Sequence, residues 1–206
     1  MGNPSGRRRV ARPDPNDVAA YEAEFRASYV GGPPPPLQSP IELRNYDPAW
    51  PRLYQREAAR IRSVLGDRVV RLEHVGSTSV PGLAAKPIVD LALEVPNAAD
   101  EAAYVPAMVA AGYLLRLREP HWHQHRLFKG PDTDINLHVF SAGSPETDRM
   151  VRFRDRLRTD PADRELYLAT KRDLAGRAWT YVQQYADAKT AVIGEILAHA
   201  EDGGTP

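Results

Sequence analysis

The 206-residue sequence contains no cysteine. Disulfides, thiol catalysis and thiolate metal sites are therefore excluded, and a cytoplasmic protein is the expectation. Net charge is also lacking, because 27 Lys and Arg balance 27 Asp and Glu. With no long block of one sign, a bulk grip on nucleic acid is not expected, and only a local basic pocket remains open. No apolar run reaches the roughly 20 residues of a membrane-spanning helix. Arg7-Arg8-Arg9 precedes no apolar stretch, so no secretory signal is expected. Gly6 stands where a myristoylation motif needs Ser or Thr. Two phosphate fingerprints are missing as well. Five residues rather than four lie between Gly76 and Gly82, and Leu83 stands in place of the P-loop lysine. The dinucleotide motif fails because one glycine opens the loop and no helix follows directly.

Proline, by contrast, is abundant, and four of the 19 fall in Gly31-Gly32-Pro33-Pro34-Pro35-Pro36. Residues 1–16 read as disordered. Residues 17–30 suit a helix with Tyr21, Phe25 and Tyr29 on one stripe. The proline run reads as an extended spacer, either a plain linker or a docking segment for a protein partner. Residues 1–40 are thus an extension. Residues 41–143 read as an α/β (α+β) core, a mixed sheet flanked by helices. Strands are expected at 41–46, 68–75, 88–95, 113–118, 124–129 and 134–140, the last two as a hairpin. Helices are expected at 47–65 and 98–111. Residues 144–206 read as a helical extension. Cap-plus-proline starts stand at Ser144-Pro145 and Asp160-Pro161, and a long helix is expected over 181–199.

The most informative segment is Gly76 to Lys86, slung between two apolar runs and followed by Pro87-Ile88-Val89-Asp90. Gly76 lets the chain turn sharply. Ser77, Thr78 and Ser79 offer hydroxyls and N–H groups of the kind that bind phosphate oxygens. Pro81-Gly82 suits a type II turn. The Lys86 ammonium can offset charge that grows in a phosphoryl or nucleotidyl transfer. Asp90 sits third in the second apolar run, on the face of Ala92 and Glu94. A buried acid there is either a Mg²⁺ ligand or a cap that accepts loop N–H groups.

From Glu73-His74-Val75-Gly76-Ser77 through Pro87-Ile88-Val89-Asp90 the sequence resembles the signature of the GrpB family. Tyr46-Asp47-Pro48-Ala49-Trp50-Pro51, Leu137-His138-Val139-Phe140, Gly143-Ser144-Pro145-Glu146 and Tyr167-Leu168-Ala169-Thr170-Lys171 add to the resemblance, which spans about residues 40–200. It implies a nucleotidyltransferase-like fold of the polymerase β type, in a family whose members are sometimes fused to dephospho-coenzyme A kinase. Such enzymes place two acids two residues apart on a strand, and a third on a later strand, around one or two Mg²⁺ ions. Here Asp90 matches the first acid and Ala92 replaces the second. Asn136 and His138 stand at the third, and Glu73 is a candidate replacement carboxylate. One metal, or a basic site without one, is the expectation.

His121, His123 and His125 alternate as zinc ligands on a strand can, although Pro120 favours a loop and no nearby acid completes the set. Arg154, Lys171 and Lys189 of the helical tail either close over phosphates or pair with acids on solvated faces. The leading expectation is an enzyme that binds ATP or another nucleoside triphosphate. It would transfer a nucleotidyl or phosphoryl group to a small molecule, or activate that molecule for ligation. In that reading Gly76, Ser77, Thr78 and Ser79 hold phosphate, while Lys86 and Arg126 offset its charge. Asp90 binds Mg²⁺, helped by Glu73 or His138. A degenerate nucleotide- or coenzyme A-binding protein and a protein-interaction module are the alternatives.

Overall fold

The computed structural model describes residues 18–202; the disorder expected over residues 1–16 lies outside them. Five strands form one mixed sheet: β1 (Arg71–Val75), β2 (Val89–Val95), β3 (Leu114–Glu119), β4 (His125–Lys129) and β5 (Ile135–Ser141), in the order β1-β2-β5-β4-β3. Only β2 and β5 run parallel, and every other neighbouring pair is antiparallel. One face is apolar. Leu91, Leu93, Leu137 and Val139 are fully buried there against α2 (Trp50–Leu65) and α3 (Val105–Ala110). Burial on both sides explains why β2 reads as nearly continuous hydrophobic sequence.

The opposite face carries Glu73, Asp90, Ala92, Asn136 and His138, because alternate residues share a face and the register aligns Ala92 with both Glu73 and His138. The C-terminal helices cover part of it: α4 (Pro145–Thr159), α5 (Pro161–Ala175), α6 (Val182–Asp187) and α7 (Thr190–Asp202). Their apolar side chains build a second cluster with Val80 and Leu83 of the loop. The expected caps form, since Ser144 accepts from Glu146 N–H and Asp160 from Asp163 N–H.

Three expectations are corrected. Residues 41–46 form no strand; Arg44 and Ala85 merely exchange two backbone bonds of 2.8 and 2.9 Å. The helix expected over 98–111 is a short turn followed by α3, because Pro106 cannot continue an earlier helix and instead occupies the first turn of a new one. The helix expected over 181–199 is broken between α6 and α7, next to Lys189. The proline segment is no free spacer either. Leu37 N–H donates to Thr180 C=O at 2.9 Å, and Leu37 packs with Ile41, Leu174 and Tyr185. Before it, α1 (Val18–Ser28) lies beside β3, with the Phe25 ring tilted against those of Tyr29 and Tyr181 at 4.7 Å each.

Candidate functional site

Strand β1 ends where Val75 pairs with Asp90. The chain then turns at Gly76, with φ +68°, and a Cβ there would stand 2.3 Å from Asp90 Oδ2. Only glycine allows the loop and the acid to approach so closely. Ser77–Ser79 form one tight turn. Two of its three hydroxyls are spent inside the protein. Thr78 is buried and meets His74 Nε2 at 3.1 Å, and Ser79 Oγ donates to Gly76 C=O. Arg158 fixes the Ser79 carbonyl with two bonds of 3.1 and 2.9 Å. The expected turn at Pro81-Gly82 closes through Leu83 N–H to Val80 C=O, with Gly82 at φ +78°. Ser77 is the hydroxyl that faces outward, into a cleft of about 560 Å³ that Asp90 also lines.

Three lysines from three elements line the same cleft: Lys86 of the loop, Lys171 of α5 and Lys189 at the break between α6 and α7. Lys171, 2% exposed, donates to Ser77 Oγ at 3.2 Å and to Ala84 C=O. Lys86 and Lys189 lie over the Tyr185 ring at 5.5 and 4.8 Å, and Lys171 over Tyr167 at 5.0 Å. These aromatic faces hold the ammonium groups by cation–π attraction. No carboxylate oxygen lies within 4.0 Å of any of the three ammonium groups among the described residues.

Burial, followed by the neighbouring Lys189, pushes Lys86 down to about 8 and Lys171 down to about 7. Burial lowers Lys189 as well. The same burial raises Asp90, against the Asn136 hydrogen bond and the surrounding lysines. Asn136 Nδ2 donates to Asp90 Oδ1 at 2.8 Å, so one carboxylate oxygen is held by β5 while the other faces Gly76. The cleft thus gathers poorly solvated amines around Asp90, with Glu119, Glu146 and Asp187 elsewhere on its lining, a local arrangement that suits an anion.

A second constellation borders it. Glu119 Oε2 lies 2.6 Å from His125 Nδ1, and His125 Nε2 lies 3.0 Å from His138 Nδ1. The carboxylate accepts from the Nδ1–H of His125, whose Nε2 then accepts from the Nδ1–H of His138. That order makes Nε2 the basic nitrogen of His138. Trp122 and Phe140 pack on His125 at 5.1 and 5.0 Å and fix its ring.

Of the residues expected from sequence, Gly76, Ser77, Lys86, Asp90, His138, Lys171 and Lys189 come together here. Others do not. Arg126 is buried and bonds Glu101 at 2.6 Å. Arg154 clamps α4 to β1, bonding Glu73 Oε2 at 2.8 Å, His74 C=O at 3.0 Å and Asp155 at 2.8 Å. Glu73 is further held by Arg71 at 3.2 Å, so its hydrogen-bonded arginines keep its carboxyl below the usual range despite burial. Glu94 is buried and accepts from Gly143 N–H at 3.1 Å. Residues 121–124 form a turn, with His123 and Gln124 both at φ +51°, and of the three histidines His125, at the start of β4, is the one on the cleft lining. Among the described residues no three His, Asp or Glu side chains are grouped to hold a metal. Asp90 has one carboxylate oxygen not bonded to Asn136, and a Mg²⁺ ion held there would need its remaining oxygens from a bound ligand. Tyr167, Tyr185 and the Glu119–His125 pair were not foreseen. Their spacing is that of ordinary core residues, and only the fold brings them to the cleft.

The family model described as GrpB protein matches residues 40–199. A UPF0157 protein of Halalkalibacterium halodurans is 58% identical over 165 residues, 80% of this chain and 85% of that one. A UPF0157 protein of Streptomyces coelicolor is 42% identical over 200 residues, 97% of each. The crystal structure of a conserved protein GrpB from Enterococcus faecalis aligns with a TM-score of 0.68 at 30% identity, covering 77% of this chain and 96% of that chain.

Proposed function

The chain belongs to the GrpB family, with a nucleotidyltransferase-like fold, and from that premise we propose that its cleft binds a nucleoside triphosphate and transfers a nucleotidyl group to a small molecule. The observation that carries this reading is the convergence of Ser77 and three lysines on Asp90 in one cleft. Lys86 and Lys189 meet the phosphates as charge partners. Lys171 holds the Ser77 hydroxyl in place and adds its own charge. Asp90 is the residue that would hold a Mg²⁺ ion, which when bound would supply charge neutralisation at the phosphate oxygens. In the transfer, an oxygen or nitrogen of the acceptor bonds the α-phosphorus and the bond to pyrophosphate breaks. The acceptor's proton passes to Nε2 of His138. Ammonium groups thus do part of the work for which related sites use a second metal.

Thermal-shift titration of ATP, GTP, CTP and UTP, with and without Mg²⁺, tests this on the wild type and Asp90→Asn. The expected result is a rise in melting temperature of several degrees that Mg²⁺ enlarges and Asp90→Asn reduces. A rise indifferent to both Mg²⁺ and the substitution would support a ligand-binding protein without turnover. No rise with any nucleotide would overturn the reading.

A further inference from the structure

Strand β3 carries a defect with a consequence for the far end of the cleft. Its register with β4 slips between Leu115 and Leu117, so that Arg116 has no residue opposite it. Such a bulge re-aims side chains. In an unbroken strand Leu115 and Leu117 would share a face. Here Leu115 joins the apolar core while Leu117 lines the cleft, and Arg116 lines it as well. The bulge is pinned from outside by the N-terminal segment. Val30 N–H donates to Arg116 C=O at 2.9 Å, Tyr29 bridges Leu117, and the Arg116 guanidinium lies 6.0 Å from the Tyr29 ring centroid. No carboxylate lies within 4.0 Å of that guanidinium among the described residues. Tyr29, Leu117 and Leu127 flank it, and Pro34, Pro35 and Glu119 line the same cleft.

The sheet register fixes how this region relates to the phosphate pole. Leu117 pairs with Leu127, Leu127 with His138, and His138 with Ala92, two residues from Asp90. At roughly 4.8 Å per strand, Arg116's strand lies about 14 Å from Asp90's and about 10 Å from His138's. His138 therefore stands between an anion pole on one side and a lone guanidinium flanked by apolar side chains on the other.

We propose that this outer half is the acceptor subsite, and that the acceptor is a small carboxylic acid with an apolar or aromatic body. Its carboxylate is held by Arg116, and its nucleophilic hydroxyl or amine, at the other end, reaches His138. Guanidinium–carboxylate pairing beside apolar side chains supplies orientation as well as affinity. This deepens the transferase reading and rests on it for the chemistry, though not for the binding. Tyr29, Pro34 and Pro35 of the cleft lining precede the family match that begins at residue 40, whereas Arg116, Leu117 and Leu127 lie inside it. The subsite therefore draws part of its wall from the N-terminal extension.

The test is binding, by ligand-observed NMR and calorimetry on the full chain. The probes are 3-(4-hydroxyphenyl)propionate, 4-aminophenylacetate and 6-hydroxyhexanoate, each against its primary amide. At least one acid is expected to bind tenfold or more tightly than its amide. Arg116→Gln should remove that preference, while its ATP affinity stays within error of wild type. Arg116→Lys should retain part of it. Acids that bind no better than amides, no binding by any acid, or an unchanged preference in Arg116→Gln would each overturn the proposal. Loss of ATP binding in the wild type would instead overturn the transferase reading and leave the carboxylate subsite standing.

Discussion

Gly76→Ala is expected to lower the melting temperature by about 10 °C and to abolish triphosphate binding. Two costs add at one atom. The residue sits at φ +68°, where a side chain costs roughly 1–3 kcal/mol. Its new Cβ would also meet Asp90 Oδ2 at 2.3 Å, and overpacking of that kind costs about 1–3 kcal/mol more. For a chain of this size each kcal/mol lowers the melting temperature by about 2–4 °C. The functional loss follows from the same contact. Asp90 can retreat only by breaking its 2.8 Å bond from Asn136, or Ser77 must leave the cleft. A control separates strain from general fragility. Gly82→Ala shares the positive φ, yet nothing stands within 4 Å of its Cβ. It should therefore cost about half as much stability and leave binding intact. Equal effects at the two glycines, read by calorimetry and nucleotide titration, would mean that the Gly76–Asp90 approach has no special role.

His138→Ala is expected to slow pyrophosphate release by about 100- to 1,000-fold while the triphosphate dissociation constant stays within about twofold. General bases contribute at that scale. The phosphate pole is held by other bonds, Asp90 by Asn136 and Lys171 by Ser77 and Ala84. Glu119→Gln should act more weakly, because an amide can still accept from the Nδ1–H of His125 but no longer stabilises a charge that forms along the chain. Its signature is an acidic limb of the pH–rate profile displaced to lower pH, because an imidazolium beside a neutral amide is the stronger acid. Equal losses of binding and rate in His138→Ala would assign the ring to ligand binding instead.

The sheet was legible because its strands are apolar, four to eight residues long and bounded by Gly, Pro, Asn or Asp. Positions that failed were those where tertiary contacts decide. Residues 41–46 have strand-like composition, but among the described residues they bridge to a single loop residue, Ala85. The helix over 98–111 ignored Pro106. The phosphate pole was half visible, because Ser77, Lys86 and Asp90 lie in one continuous stretch. Lys171 and Lys189 stand out in the sequence as cations of the helical tail that could equally pair with acids, and the fold shows that they join. Arg154 and Arg126 carry the same charge in the same regions, yet each is committed to an acid, Glu73 and Glu101. Sequence cannot tell a paired arginine from an unpaired one. Nor does it reveal a bulge: the run Leu115-Arg116-Leu117 alternates as a regular strand does, and the slip depends on what Val30 offers from outside.

The central claim is that ammonium groups in the cleft bind a triphosphate, and Lys86 offers the sharpest handle. In the ligand-free protein it sits near 8, lowered mainly by burial. The charged form is the one that meets phosphate. At pH 7 most molecules carry the ammonium; as pH rises through 8 the free protein loses it, and binding must then take up a proton. Affinity should therefore fall between pH 7 and pH 9 by up to about tenfold through this group. Calorimetric titration of a non-hydrolysable ATP analogue into wild type and Lys86→Gln at both pH values reads this directly. A fall in the wild type is predicted, with Lys86→Gln binding about 10- to 100-fold more weakly at pH 7 and responding less to pH. Equal affinity in the two proteins, with the same pH profile, would contradict the account.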